Sequence, residues 1–111
     1  MRRLVCAFIF SLCVCLSINI RSSFAYTTNM SASVVVGQSD FSGFSPNKGG
    51  TVSGGGYDYP YDAVVIKDKL VVTDYNNSRL LVYNTIPYTN GAIADVVIGQ
   101  PDMTSSSENQ G

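Results

Sequence analysis

Apolar residues along the chain fall into short runs divided by polar and glycine-rich links. Ala63-Val64-Val65-Ile66, Leu70-Val71-Val72-Thr73, Leu80-Leu81-Val82-Tyr83 and Asp95-Val96-Val97-Ile98 are rich in residues that fit a pleated, buried surface. Val34-Val35-Val36 is a shorter run of the same kind. Beyond residue 25, no stretch carries the apolar spacing of a helix. The links have the chemistry of hairpins. Lys67-Asp68-Lys69 is tight and polar, Tyr75-Asn76-Asn77-Ser78 holds two asparagines that tolerate left-handed backbone, and Thr85 to Ala94 contains Pro87 and Asn90-Gly91. Pro46, Pro60, Pro87 and Pro101 all lie outside the runs, where a missing N–H costs no ladder bond. The pattern predicts an all-β chain with a four-stranded antiparallel sheet. The apolar residues are nearly continuous within each run, which predicts a sheet whose two faces both avoid water. The segment from Gly37 to Tyr61 reads as a long loop that needs neighbours to order it.

The runs belong to a repeat. Tyr26, Thr27, Ala32, Val34, Val35, Gly37, Gln38, Asp40, Asn47 and Gly49 recur 62 residues later as Tyr88, Thr89, Ala94, Val96, Val97, Gly99, Gln100, Asp102, Asn109 and Gly111. The chain therefore reads as one complete repeat, 26–87, and the opening of a second, 88–111. Units at such a spacing are supersecondary pieces that bury their apolar faces against neighbours. A four-stranded antiparallel sheet repeated at a fixed period predicts a β-propeller blade. Val34-Val35-Val36 is then an extra outer strand.

Residues 1–25 read as a signal peptide. Arg2 and Arg3 are a basic start, and Leu4 to Leu16 is an apolar run of 13 residues broken only by Ser11. Ser23-Phe24-Ala25 puts small residues at the two positions a signal peptidase reads, so cleavage is expected after Ala25. An uncleaved anchor is the rival reading, but the run is short for the roughly 20 residues a spanning helix needs. The expected destination is secreted, periplasmic or extracellular. All three cysteines, Cys6, Cys13 and Cys15, lie in the apolar run, and the chain has no histidine. A mature chain without either excludes disulfides, thiolate zinc sites, most catalytic triads and c-type haem attachment. No catalytic, metal or cofactor-binding residue is assigned, and no cofactor is expected. Lys48, Lys67, Lys69 and Arg79 stand against eight acids after residue 25, a net charge of −4. That argues against nucleic acid as a partner.

Pro60 to Tyr83 resembles an NHL repeat: a proline, an apolar strand, a short polar turn, a strand ending in Asp74, a turn holding Asn77, then Arg79, Leu80 and another strand. Asp95 to Asp102 looks like the linker of secreted bacterial proteins built from long NHL-type repeats. Ser78 stands where the family often has histidine, and Asp62 where it commonly has glycine. The resemblance implies one blade of a ring similar to six-bladed propellers.

Three sets of residues are candidates for function. Asp74 and Arg79 face each other across a turn. They read as a hairpin-closing, charge-assisted hydrogen bond, with a ligand-binding pair as the alternative. Gln38, Asp40, Gln100 and Asp102 sit in Gly-Gln-x-Asp linkers, where a carboxylate caps backbone amides; calcium, which takes oxygen ligands, is the rival. Tyr57, Tyr59 and Tyr61 alternate, which puts them on one side of an extended segment. They read as inter-blade packing or as an aromatic surface for sugar or peptide. The leading function is a secreted, non-catalytic interaction module binding protein or carbohydrate. The alternatives are a fragment of a metal-dependent propeller hydrolase or lyase, and a single-blade subunit that self-associates through its faces into a ring.

Overall fold

The computed structural model describes residues 26–110, and the signal-peptide expectation lies outside them. The chain divides into two units, 1–30 and 31–111. Within the first, Met30 N–H donates to the Thr27 carbonyl at 3.2 Å, closing a turn. The second unit holds the sheet.

Four strands run antiparallel in chain order: β1 (Pro60–Ile66), β2 (Lys69–Asp74), β3 (Arg79–Tyr83) and β4 (Val96–Ile98). The all-β expectation and the four strands hold. Val34–Val36 is not a strand, which corrects the extra outer strand expected from its sequence. A β-branched run needs a neighbouring edge to form a ladder, and β3, which pairs with the equivalent run in β4, has β2 on its other side.

The first hairpin is tighter than its residues indicate, and the second has the expected four-residue turn. Ile66 pairs with Lys69, so Lys67 and Asp68 alone make the first turn, with Lys67 at φ 56°. In the second, Ser78 N–H donates to the Tyr75 carbonyl at 3.0 Å, and Ser78 takes the left-handed conformation at φ 51°. Neither asparagine of that turn does. Their side chains serve as donors instead, Asn76 to Asp58 at 3.1 Å and Asn77 to Asp74 at 2.8 Å.

Cross-strand register sets the two faces, since paired residues share a side and successive residues alternate. Leu70, Val72, Leu81, Tyr83 and Val97 share one face. It meets the returning chain, and Tyr57, Val72, Leu81, Tyr83 and Ala94 form the core with Val36, Ala92 and Met103 against it. The loop 37–59 is ordered by this contact and by its own bonds. Asn47 N–H donates to the Tyr57 carbonyl at 2.7 Å, and Ala94 N–H to the Gly54 carbonyl at 2.8 Å. Pro46–Gly49 is a short turn in which Asn47 and Lys48 are left-handed, at φ 50° and 58°.

The other face carries Val64, Ile66, Val71, Leu80, Val82, Val96 and Ile98. Val64, Ile66, Val96 and Ile98 are exposed, and the rest are half-covered or open. The described chain covers one face of its sheet, whereas the apolar runs predicted cover for both. β1 is exposed along its whole length.

Candidate functional site

The densest polar cluster lies where β2 turns into β3. Asp74 is 0% exposed and Arg79 4%. Arg79 Nε donates to Asp74 Oδ2 at 2.8 Å across the turn. Asp74 and Arg79 are directly opposed in the ladder, so the strand register itself aims the two side chains at each other. Asp74 Oδ1 also accepts Asp58 N–H at 2.7 Å, and Oδ2 accepts Asn77 Nδ2 at 2.8 Å. The guanidinium uses its remaining donors on carbonyls: Nη1 on Met103 at 2.6 Å, and Nη2 on Ser53 at 2.7 Å and Gly56 at 3.2 Å. A planar fork with five N–H donors is suited to gathering carbonyls from separate segments. The pair closes the hairpin, and it also ties the hairpin to the loop before β1 and to the segment after β4. Both side chains are buried and their polar atoms are bonded to three separate segments, which is the geometry of a fold-organising centre.

The second element is the Gly-Gln-x-Asp linker, present twice. In the second copy, Gly99 has φ 93°, a conformation open mainly to glycine. Gln100 Nε2 then donates to the Ser107 carbonyl at 2.7 Å. Asp102 Oδ1 accepts Thr104 N–H at 2.8 Å, Thr104 Oγ1 at 2.8 Å and Ser105 Oγ at 2.9 Å. In the first copy, Gly37 has φ 90°, Gln38 Nε2 donates to the Ser45 carbonyl at 2.9 Å, and Asp40 Oδ1 accepts Ser42 N–H at 2.8 Å and Ser42 Oγ at 2.5 Å. The partners Ser45 and Ser42 sit 62 residues before Ser107 and Thr104, so one motif folds nearly one way twice; Ser105, which adds a bond to Asp102, has Gly43 as its counterpart. The hydroxyl and amide bonds hold both carboxyls below the ordinary aspartate range; the side-chain bond from Ser42 leads for Asp40, and that from Thr104 for Asp102. The aspartates cap backbone amides. Among the described residues no cluster of three His, Cys, Asp or Glu side chains could hold a metal ion.

The tyrosines expected on one side part company. Tyr57 is 7% exposed, in the core, its hydroxyl 2.6 Å from that of Tyr83. Burial, and then the bond to Tyr83, push the Tyr57 hydroxyl pKa far above its ordinary value; burial also raises that of Tyr83. Tyr59 and Tyr61 are 63% and 74% exposed. The alternation fails because Tyr59 has φ 56° and the β1–β2 register shifts between Pro60 and Ala63. The exposed pair instead gathers around Tyr75, which the sequence reading did not single out. Ring centroids lie 6.2 Å apart for Tyr59–Tyr75 and 6.1 Å for Tyr61–Tyr75. Only the pairing of β1 with β2 brings the start of one strand beside the end of the other.

Beside Tyr75 lies an open cleft of about 710 Å³, with Thr73, Leu80, Ile98 and Glu108 in its wall. Leu80 and Ile98 are the apolar part of its wall, and most of the remaining lining is polar.

Compared with protein-family models, the chain matches none of them. A search of curated proteins found no match. Nor does any solved structure match the fold.

Proposed function

We propose that the chain is a secreted, non-catalytic interaction module, one blade of an NHL-type propeller, that binds protein or carbohydrate. The observation that carries the reading is the exposed Tyr59–Tyr61–Tyr75 group, whose Tyr75 also lines the open cleft that holds Leu80 and Ile98. A group of exposed aromatic rings suits sugar rings and extended peptides. The blade assignment is supported by the repeat and by the fourth strand, which the opening of the next unit supplies. Titration of the mature chain against oligosaccharide and peptide panels, followed by backbone amide shifts, tests the reading. Shifts should centre on Tyr59, Tyr61 and Tyr75, and Tyr61→Ala should weaken them. Metal-dependent turnover by the purified chain, or shifts confined elsewhere, sinks it.

One observation favours a second reading, self-association. The open face of the sheet presents Val64, Ile66, Val96 and Ile98 to solvent. Contiguous exposed apolar area of this kind marks an interface or an aggregation site. A discrete oligomer in sedimentation would support a ring of single-blade subunits; a monomer would exclude it.

A further inference from the structure

The β1–β2 hairpin is polarised along its length. Its turn end carries Lys67 and Lys69, and its open end carries Tyr59, Tyr61 and Tyr75. The strands hold the two ends about 20 Å apart, at roughly 3.3 Å per residue from Pro60 to Ile66. A charge at that separation is screened, since the Debye length is about 8 Å at physiological salt. The remaining cations among the described residues are committed elsewhere. Lys48 Nζ donates to the Gly91 carbonyl at 3.1 Å, and Arg79 is buried against Asp74.

Acids gather at the aromatic end. Asn76 donates to Asp58 twice, through Nδ2 to Oδ1 and through N–H to the carbonyl, both at 3.1 Å. Tyr75 N–H donates to the Tyr59 carbonyl at 3.3 Å, so Asp58-Tyr59 and Tyr75-Asn76 run side by side. The register passes from Pro60 opposite Asp74 to Ala63 opposite Val72, which leaves both Tyr61 and Asp62 facing Thr73. Such a bulge breaks alternation and re-aims side chains. Asp62 is exposed, and its Oδ1 accepts Ala63 N–H at 2.8 Å. Glu108 shares the wall of the open cleft with Thr73 and Tyr75. Among the described residues the one ion pair is Arg79–Asp74, so Asp58, Asp62 and Glu108 are not paired with a cation.

We propose that the Tyr59–Tyr61–Tyr75 surface takes an extended, arginine-bearing peptide segment of another protein. The proposal rests on the ligand-binding reading of the tyrosines and names the class of partner. A tyrosine face attracts a cation through its ring quadrupole. A guanidinium is planar and weakly hydrated, so it stacks on a ring while its N–H fork meets a carboxylate. The exposed rings and the unpaired carboxylates together offer both contacts. Tyr75 lies 6.2 and 6.1 Å from the other two rings, close to the roughly 6.6 Å between alternate side chains of an extended segment. A neutral sugar would use the rings and leave the carboxylates without a counter-charge. An acidic peptide would be repelled. Lysine, a compact and strongly hydrated charge, suits the rings less well.

The test uses the mature chain, residues 26–111, which contains the whole sheet unit. The probe is a short synthetic peptide alternating arginine and glycine. Matched peptides with lysine or glutamate in place of arginine, and a neutral oligosaccharide, are the comparisons, each followed by backbone amide shifts. The arginine peptide should give saturable shifts centred on Tyr59, Tyr61 and Tyr75, bind more tightly than the lysine peptide and weaken as salt is raised. The glutamate peptide and the sugar should give none. Tyr61→Ala and Asp62→Asn should each weaken the arginine peptide by about two- to fivefold, and Lys67→Gln should change it little. Asparagine keeps an oxygen for Ala63 N–H, so circular dichroism of Asp62→Asn should match the parent. Binding of the lysine peptide, the glutamate peptide or the sugar at the tyrosines as tight as that of the arginine peptide overturns the inference and leaves the ligand-binding reading standing. No shift at the tyrosines with any probe overturns both. Arginine-peptide binding indifferent to both Tyr61→Ala and Asp62→Asn also overturns the inference, because it is then attraction to the acidic chain at large.

Discussion

The two Gly-Gln-x-Asp elements have nearly the same conformation and quite different surroundings. Around Gln100 the element is embedded: it gives the sheet its fourth strand and covers the β2–β3 turn. Around Gln38 the same loop closes on itself, with Gly37 packed against the Tyr57 ring instead of on the β2–β3 turn. Local sequence is enough to shape the loop, because its bonds run to residues two to seven positions away. Engagement is another matter. It needs a hairpin that a different part of the chain supplies.

The largest expected effect comes from removing what the engaged element sits on. Arg79→Ala leaves Asp74 buried without its cation and frees three carbonyls, and should cost about 3–5 kcal/mol. Urea unfolding followed by far-UV circular dichroism would show a chain with little or no folded baseline. A variant that unfolds near the parent midpoint would mean that the turn is not the anchor of the sheet.

The glutamines separate the two copies directly. Gln100→Leu strips three carbonyls of their donor and should cost about 1–3 kcal/mol. Gln38→Leu loses one bond in a half-exposed loop and should cost less than about 0.5 kcal/mol. Equal midpoint shifts in denaturant for the two variants would erase the distinction between the copy that bonds to the β2–β3 turn and the copy that does not.

A smaller effect is expected at the core. Tyr57→Phe removes the hydroxyl bond to Tyr83 and should cost about 1 kcal/mol. The pair also gives stability an alkaline limit. Both hydroxyls have pKa values raised above the ordinary 10.0, so the folded chain keeps protons that the unfolded chain releases. Stability is full below pH 10 and falls as pH rises beyond it. Thermal melts should show a shallower alkaline decline for Tyr57→Phe than for the parent.

The weakest effect is acidic and should touch both copies alike. Asp40 and Asp102 have pKa values lowered from 3.8, so their contribution is present above that value and is lost as pH falls through the lowered ones. Amide-exchange protection at Ser42 and Thr104, measured relative to the intrinsic rate at each pH, should fall together on acidification. A fall at one site alone would show that the two loops are not equivalent.

Much of the sheet was legible. Each strand announced itself as a β-branched run, and the ladder of β2 on β3 follows from the short Tyr75–Ser78 link between them. The Asp74–Arg79 contact was legible for the same reason, since a four-residue turn leaves few other places for two strand-end charges. The tyrosines were less so. Alternation holds only while the backbone stays extended, and with Tyr59 left-handed Tyr57 lies in the core while Tyr59 and Tyr61 are exposed. Gln100 was visible as a recurring residue but not as a clasp. Its partners are backbone carbonyls, which every residue possesses and no sequence pattern marks.

Sequence by itself determined the strand runs, the repeat at 62 residues and the local form of the Gly-Gln-x-Asp loops, because each depends on residue type and on neighbours close in the chain. Tertiary structure decided the rest. Two nearly identical valine runs met different fates, β4 and an irregular segment, because a strand exists only where another edge receives its hydrogen bonds. One face of the sheet was covered and the other left open because a single chain has only so much loop to fold back. Those outcomes rest on contacts between residues far apart in the chain, and such contacts are settled by packing.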